Sequence, residues 1–448
     1  MTQRDITRAD TIAAAITGGS AGEIADAVRS LVERGELRAG DPLPPVRALA
    51  AQVGVNRNTV VAAYRQLALA GVVVAHGRGG TRVAGAPPIA QEGFASSTEL
   101  RDVGAANPDP ALLPSLEPAL ARLAARPVLY GESVIDPGLE AWAREWIAPD
   151  VPDGMRLTIT GGAFDAVERL LAQALTRDDA VALEDPCYLA TIRTARLAGY
   201  RPIAVPVDAE GMTVDGLRAA LAEGARAVVC TPRAQNPTGA GLSASRAAAL
   251  REVLAEHPYV LVIEDDHFSL LSRRPYRSLI APEHRRWALV RSVSKFLGPD
   301  LSLAIVASDA HTADRLGLRL SPGTTWVSHL LQRLAHALLS DAATRKAIER
   351  AGAHYAARND AFAALLAARG IAIAPGDGLS VWVPVGAPAR AVAEGLRRRG
   401  WLARPGDEFG IADDRPSHHL RLTVHHLTDA DAARLADDVA AAAAEARG

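Results

Sequence analysis

The chain has 448 residues, of which 49% are hydrophobic and 22% are charged, and its formal net charge at pH 7 is −2. This composition excludes a disordered chain, and the length predicts two or three domains rather than one. A net charge so close to zero also excludes binding to a polyanion through bulk charge alone.

Neither disulfides, membrane insertion nor a metal site is predicted. The two cysteines, Cys187 and Cys230, provide no disulfide framework, so we expect a reducing cytoplasm. The N-terminal residues lack the apolar core of a signal peptide. No segment reaches the roughly 18 uncharged apolar residues that a membrane span requires.

Residues 1–19 are predicted to be a tail, and residues 20–83 to be three short helices followed by a hairpin. Apolar residues recur at helical spacing in residues 21–35, 45–53 and 57–70. Two β-rich segments, residues 72–75 and 81–83, then flank a glycine-rich tip. This order is the plan of a winged helix-turn-helix domain, in which the third helix lies in the major groove of DNA.

The charges of this region also indicate DNA. Residues 42–91 contain five arginines and no acidic residue, which creates a local basic field. Arg57, Asn58 and Thr59 begin the third helix and are predicted to contact base edges. The residues predicted to contact phosphates are Arg47, Arg65 and, on the wing, Arg78. The open alternative is a small helical domain with a solvated basic face.

Two motifs carry a resemblance to a known family. GDPLPPVRALA at residues 40–50 and VNRNTVVAAYRQL at residues 55–67 resemble the DNA-binding domain of GntR-type regulators. The resemblance covers residues 20–83 and implies a double-stranded DNA operator as partner. Residues 84–106 are rich in turn-forming residues and are predicted to be a linker.

The rest of the chain, residues 107–448, alternates short apolar segments with helical patterns. The predicted strands are residues 157–160, 180–183, 227–230, 259–263 and 287–291. Such alternation predicts an α/β fold with a mainly parallel sheet that is covered on both faces. Polar residues and glycines cluster where these strands end, which is where α/β folds bind ligands.

Lysine is rare in this chain, and its position is informative. Only Lys295 and Lys346 occur among 49 basic residues. A coding bias toward arginine explains the general scarcity, and Lys346 lies on a charged helical pattern. Arginine could replace the charge of Lys295 but not a nucleophilic amine, because guanidinium stays protonated and forms no Schiff base. We therefore predict a chemical role for Lys295.

The other strand ends supply what pyridoxal 5'-phosphate requires. Asp265 ends an apolar strand and is suited to hold the pyridine nitrogen protonated. Gly162 and Ala163 precede a helix whose backbone N–H groups are suited to bind a phosphate. Further polar groups and a stacking ring are offered by Ser292, Ser294, Asn236 and Tyr188. Each feature alone is more often structural, so the prediction rests on their joint order.

That order resembles the fold-type I aminotransferases, and the whole chain resembles the MocR subfamily of GntR-type regulators. The resemblance implies that Lys295 is the Schiff-base lysine, that Asp265 contacts the pyridine nitrogen and that Asn236 lies near the phenolic oxygen. It implies Arg421 as the clamp for a ligand carboxylate. It also implies a homodimer in which Tyr130 reaches the phosphate of the partner's cofactor.

Two positions depart from the family. After the aspartate the family often has a tyrosine that bonds the phenolic oxygen, whereas this chain has His267 and Phe268. Seven residues after the lysine the family often has an arginine for the phosphate, whereas this chain has Ser302. Loss of that charge-assisted pair weakens cofactor binding.

The sequence thus predicts a cytoplasmic transcription regulator that senses an amino acid or amine through Schiff-base exchange at Lys295. One alternative is an active aminotransferase with an attached DNA-binding domain. A further alternative is a regulator that senses pyridoxal 5'-phosphate itself.

Overall fold

The computed structural model divides the chain into two compact units, Met1–Ala90 and Gln91–Gly448. It describes residues 15–70, 72–75, 80–84, 100–123, 126–320, 326–374, 376–412 and 416–447. Most of the predicted tail, the wing tip with Arg78 and residues 85–99 of the predicted linker lie outside the described residues.

The N-terminal unit has the predicted three helices and hairpin. Its elements are α1 (Ala21–Glu33), α2 (Val46–Val53), α3 (Arg57–Leu69), β1 (Val73–Ala75) and β2 (Thr81–Val83). The side chain of Asn56 caps α3, because its Oδ1 accepts the backbone N–H of Asn58 at 2.8 Å. Gly54 ends α2 in the left-handed conformation. The apolar stripes of the three helices meet in one small core.

The described part of the C-terminal unit contains thirteen strands, most of which form one large sheet. Its strands are β3 (Arg101–Asp102), β4 (Arg156–Thr160), β5 (Ala180–Asp185), β6 (Arg201–Asp208), β7 (Gly211–Met212), β8 (Ala225–Cys230), β9 (Leu261–Asp265), β10 (Trp287–Ser292), β11 (Ala304–Ser308), β12 (Val381–Pro384), β13 (Trp401–Leu402), β14 (Arg404–Pro405) and β15 (His419–Leu422). Eight of them form one sheet in the order β4-β11-β10-β9-β8-β5-β6-β7. Its central pairs, from β10 to β6, are parallel, as predicted.

The C-terminal unit also contains helices, some of which pack on the two faces of this sheet and some of which belong to a smaller subdomain. They are α4 (Glu117–Leu120), α5 (Pro137–Ile147), α6 (Ala163–Ala174), α7 (Leu189–Leu197), α8 (Val214–Ala222), α9 (Ala244–Ala255), α10 (Ser294–Leu297), α11 (Ala310–Leu320), α12 (His329–Ser340), α13 (Ala342–Ala367), α14 (Ala389–Arg398) and α15 (Asp429–Glu445). Within the described ranges, none of the helices has the length and apolar character to cross a bilayer.

Side-chain alternation along the strands assigns each residue to one of two cores. On β10, Ala288 and Val290 join the core that contains α6, whereas Trp287 and Leu289 join the core on the opposite face. On β9, Leu261 and Ile263 lie on the α6 side and Val262 on the other. Both faces are therefore apolar, which explains why these strands are nearly continuous hydrophobic runs.

A smaller subdomain forms the end of the chain. Strands β12, β15 and β14 form an antiparallel sheet that packs with α14 and α15 around a third core. Strand β3 pairs in parallel with β13, and Val103 is fully buried in this core. Residues 101–106, which the sequence assigned to the linker, are thus part of the C-terminal unit. Local patterns do not reveal this, because the pairing partner is distant in the chain.

Two glycines within helices of the C-terminal unit, Gly352 and Gly317, provide a matched test of packing. A Cβ atom at Gly352 on α13 would lie 2.4 Å from the carbonyl oxygen of Leu271, whereas one at Gly317 on α11 would meet nothing within 4 Å. We expect Gly352→Ala to destabilise the protein by about 1–3 kcal/mol through overpacking. Gly317→Ala should stabilise it by about 0.5–1 kcal/mol, because alanine favours a helix. Urea unfolding measures both, and equal effects would contradict this packing.

Candidate functional site

Lys295 and Asp265 lie at the same edge of the central sheet. Strand β9 ends at Asp265, and the parallel strand β10 places Val290 opposite it. The short helix α10 follows β10 and carries Lys295. The positive charge of Lys295 acts on the carboxyl group of Asp265 and opposes the rise of its pKa. The Lys295 Nζ atom donates a hydrogen bond to the Ala106 carbonyl oxygen at 3.1 Å.

The carboxyl group of Asp265 has a buried oxygen that could accept a hydrogen bond from a ligand. Its Oδ1 atom is buried and has no hydrogen-bond partner among the described residues. Burial, followed by repulsion from Asp266, raises the pKa of Asp265 to about 7, and Lys295 opposes this rise. A buried oxygen without a donor is rare in folded proteins. A protonated pyridine nitrogen is a donor that would satisfy it, so this group fits pyridoxal 5'-phosphate.

The neighbouring Asp266 points to the opposite face and is neutralised by arginines. Arg233 contacts both of its oxygens, with Nε at 2.7 Å and Nη2 at 2.8 Å, and Arg291 contacts it through Nε at 2.9 Å. Burial alone would raise the pKa of Asp266, but the hydrogen bonds and charges of these arginines lower it overall. Sequence reasoning missed this network, although two arginines beside apolar strands were a visible signal.

Arg421 lies close to the same site. It is fully buried on β15, which excludes a surface role. Its Nη1 atom donates to Asn236 Oδ1 at 3.0 Å, and its Nη2 atom donates to the Gly104 carbonyl at 2.7 Å. The ring of Phe409 lies 4.8 Å from its guanidinium carbon. Sequence reasoning identified Arg421 and Asn236 but not the contacts with Gly104 and Phe409.

A small cavity of about 30 Å³ connects these groups. Lys295, Asn236 and His267 contribute to its walls, together with the backbone around Ala106. The structure therefore brings together Lys295, Asn236 and, through Asn236, Arg421. His267 faces this cavity, whereas the side chain of Phe268 belongs to the hydrophobic core.

The predicted phosphate region is a turn of glycines and serines. Gly162 has a φ of +102° directly before α6, and a Cβ atom there would lie 3.0 Å from Ser302 Oγ. Ser302 donates from Oγ to the Gly161 carbonyl at 2.8 Å. Ser294 and Ser292 are joined by a 3.2 Å hydrogen bond from the Ser294 backbone N–H to Ser292 Oγ. This cradle lies at the N-terminus of α6, which starts at Ala163, and such termini attract phosphates.

The two tyrosines occupy different settings. Tyr188 is half-buried immediately before α7, next to Cys187, whose backbone N–H donates to the Phe409 carbonyl at 2.8 Å. Tyr130 is 89% exposed, and its ring contacts Trp326 at a centroid distance of 5.4 Å. Tyr130 does not line the cavity with Lys295 within one chain.

The predicted DNA-contacting residues lie on the surface of the N-terminal unit. Arg57 and Asn58 are exposed in the first turn of α3, and Thr59 is half-buried there. Arg47 on α2 and Arg65 on α3 are also exposed. This arrangement leaves the start of α3 available to a partner.

Comparisons with known proteins match both units. The family model "Bacterial regulatory proteins, gntR family" matches residues 20–83, and "Aminotransferase class I and II" matches residues 102–439. The chain is 49% identical over 425 residues to the vitamin B6 salvage pathway transcriptional repressor PtsJ of Salmonella typhimurium, covering 95% of this chain and 98% of that protein. It is 28% identical to the HTH-type pyridoxine biosynthesis transcriptional regulator PdxR of Corynebacterium glutamicum, over 56% of each chain.

Solved structures share the fold of most of the chain. Kynurenine aminotransferase of Pyrococcus horikoshii has a TM-score of 0.71 at 21% identity, covering 78% of this chain and 92% of that one. LysN, an α-aminoadipate aminotransferase of Thermus thermophilus, has a TM-score of 0.68 at 23% identity, covering 78% of this chain and 93% of that one. At these identities the similarity describes the fold alone.

The raised pKa of Asp265 makes a prediction about stability. Its folded value of about 7 exceeds the unfolded value near 4, so the folded chain binds this proton more tightly. Asp265 therefore lowers stability progressively as pH rises from about 4 to about 7. In cofactor-free protein, Asp265→Asn should remove a loss on the order of 2–4 kcal/mol over this window. Urea unfolding at several pH values measures it.

The matched control is Asp215→Asn, because the side chain of Asp215 is 97% exposed. This control should retain the pH dependence of the original protein. An Asp265→Asn variant whose unfolding free energy falls as steeply as that of the control would show that Asp265 is not the group concerned.

Proposed function

The chain belongs to the MocR subfamily of GntR-type transcription regulators, and we propose that it senses an amino acid or amine through its C-terminal unit. That unit is a pyridoxal 5'-phosphate-dependent, aminotransferase-like domain fused to a GntR-type DNA-binding domain. The observation that supports the proposal is that Lys295 and Asn236 line one cavity, with Arg421 bonded to Asn236 and the charge of Lys295 acting on Asp265.

Different residues of the site would bind different parts of the cofactor. Lys295 offers the amine, and the unpartnered Oδ1 of Asp265 accepts a proton-bearing ring nitrogen. The phosphate would lie against the turn at Gly162 and Ala163, with hydroxyl groups from Ser292, Ser294 and Ser302 nearby. Tyr188 would cover the ring. When bound, pyridoxal 5'-phosphate supplies a carbonyl carbon that condenses reversibly with amines.

Arg421 supplies the second half of ligand recognition. Its planar guanidinium matches a carboxylate with two parallel N–H donors. Asn236 and Phe409 hold this guanidinium in place from two directions. The apolar, buried surroundings strengthen the charge pair that a ligand carboxylate would form. The ligand class that fits both Lys295 and Arg421 is therefore an amino acid.

A second candidate function is sensing of the cofactor itself. The observation that favours it is the 49% identity to a repressor of vitamin B6 salvage, over almost the whole chain. In this case occupancy of the Lys295 site by pyridoxal 5'-phosphate would be the regulatory signal, and Arg421 would be dispensable for the response.

We also propose a homodimer. Large apolar side chains are exposed on neighbouring parts of the C-terminal unit, namely Leu120, Leu129, Tyr130, Val134 and Leu330. An exposed patch of this kind is typical of a protein interface. A second copy covering it would bury the ring of Tyr130, which fits the family role of that tyrosine at the partner's cofactor.

The N-terminal unit would bind an operator in cytoplasmic DNA, with α3 in the major groove. We expect Arg57→Ala to weaken binding to a specific site by about 1–3 kcal/mol, because Arg57 is exposed at the start of α3. Gel-shift titration of flanking genomic fragments measures this. Arg34→Ala is the matched control, since Arg34 belongs to the same unit but pairs with Glu36 at 2.6 Å. Equal losses in both variants would indicate binding through bulk charge alone.

The scarcity of lysine permits a clean test of cofactor attachment. Purified protein loaded with pyridoxal 5'-phosphate should show a visible absorption band that Lys295→Ala abolishes and Lys346→Ala retains. The reason is that only Lys295 lies at the site with Asp265 and Asn236. A band that survives in Lys295→Ala would contradict covalent attachment at this residue.

The same band separates the candidate functions when amino acids and amines are added one at a time. A persistent shift with one compound, accompanied by altered DNA affinity, supports sensing of that compound. Bleaching that a keto acid reverses identifies an active aminotransferase. DNA affinity that depends on pyridoxal 5'-phosphate but on no amino acid, and that Arg421→Ala leaves unchanged, supports cofactor sensing.

A further inference from the structure

Residues 104–109, here named the strap, cross the site, and side chains hold their main-chain groups. The Gly104 carbonyl accepts from Arg421 Nη2 at 2.7 Å and from Arg404 Nε at 3.3 Å. The Ala106 N–H donates to Thr423 Oγ1 at 3.0 Å. These contacts place the first half of the strap directly on the proposed carboxylate clamp.

The second half of the strap is held in the same manner. The Asn107 carbonyl lies 3.0 Å from His425 Nε2, and the Asp109 N–H donates to the Tyr355 hydroxyl at 3.2 Å. Arg421 lies on β15, and Thr423 and His425 follow that strand at alternate positions. The side chains of all three contact main-chain groups of the strap.

The strap is held in a conformation that is unfavourable for one of its residues. Ala106 has a φ of +52°, in the left-handed region that alanine rarely adopts. Its N–H and carbonyl groups are both engaged, by Thr423 and Lys295 respectively. The local strain is thus offset by side-chain hydrogen bonds, and a competitor for those side chains would release it.

We propose that the strap is an internal occupant of the carboxylate site, and that a ligand's carboxylate binds Arg421 by displacing the Gly104 carbonyl. This inference rests on the proposed role of Arg421 in ligand binding. A carboxylate has a full negative charge and two acceptor oxygens, whereas a peptide carbonyl has neither, so the carboxylate forms the stronger pair. An amine without an acid group has nothing to offer Arg421. The strap therefore selects amino acids over simple amines.

The position of the strap in the chain means that its displacement would affect the segment that leads to the N-terminal unit. The strap directly follows β3, and the chain before β3 leads to the N-terminal unit. Release of the strap would loosen the attachment point of that connecting chain. Ligand binding at Arg421 would thereby reach the connection between the two units through the main chain itself.

The test uses full-length protein loaded with pyridoxal 5'-phosphate, and sodium propionate as the probe. Propionate has a carboxylate and no amine that could react at the cofactor. Amide hydrogen exchange of residues 103–107 is followed during the titration, with sodium chloride at equal ionic strength as the reference. We expect propionate to accelerate this exchange and propionamide, its uncharged analogue without a reactive amine, to leave it unchanged.

Two variants strengthen the test. Thr423→Val removes the acceptor of the Ala106 N–H while preserving shape, and should lower the half-saturating propionate concentration about tenfold, the effect of one lost hydrogen bond. Gly104→Ala should act in the same direction, because its Cβ would lie 2.9 Å from Arg404 Cγ. Thr312→Val is the matched control, since Thr312 is also buried but lies on α11. It should behave as the original protein.

The outcomes distinguish this inference from the proposed function. If propionate frees the strap but no amino acid changes the visible band, sensing fails and the strap inference stands. If amino acids shift the band while residues 103–107 exchange at one rate at every propionate concentration, the strap inference is wrong. Equal acceleration by propionamide, or weaker propionate binding in Thr423→Val, would also overturn it.

Discussion

Two adjacent carboxyl groups at the end of β9 set the constraint on which the site depends. Strand alternation sends Asp265 toward the α6 side of the sheet and Asp266 toward the other side, and Asp266 is fully buried whereas Asp265 is half-buried. The protein neutralises only one of them. Asp266 has two arginines, one of which, Arg291, is itself held between the rings of Trp146 and Tyr276. Asp265 is left with an oxygen that no described residue satisfies.

Because only Asp266 is paired with arginines, the two faces of the sheet at the end of β9 differ in their roles. The face with Asp266 is a closed network in which every charge has an opposite partner nearby, so it fixes the end of β9. The face with Asp265 is incomplete in the protein alone, and the same face of β10 presents Ser292 toward the start of α6. Paired charges behind an unsatisfied carboxyl oxygen help to hold the residues of a binding site in place.

Much of this was predictable from local sequence, and the exceptions have a common cause. Strand ends, the cap at Asn56 and the unusual lysine are local signals, and the structure has the predicted elements at those places. The pairing of β3 with β13, the arginine network around Asp266 and the strap arise from contacts between distant parts of the chain. No periodicity or motif within a short window encodes such contacts. The assignment of residues 101–106 to a linker differs from the structure for this reason.

The phosphate region shows how a departure from a family pattern can be accommodated. Ser302 stands where the family often has arginine, and it spans the turn before α6 by its bond to Gly161. The remaining donors are neutral hydroxyls and the N-terminus of α6. A neutral cradle holds an anion less strongly than one that contains a guanidinium, but it also releases it more readily. That property would suit the second candidate function, in which occupancy of the site by the cofactor is the regulatory signal.

The remote pairing of β3 has a consequence for synthesis. Gly104 and its partner Arg404 are 300 residues apart, so the Gly104 carbonyl has neither of its arginine partners until most of the chain has left the ribosome. The N-terminal unit, by contrast, is built from contacts among near neighbours and can fold first. During translation the DNA-binding unit therefore folds before the proposed ligand site is complete. A truncated or nascent chain would have a folded DNA-binding unit without that site.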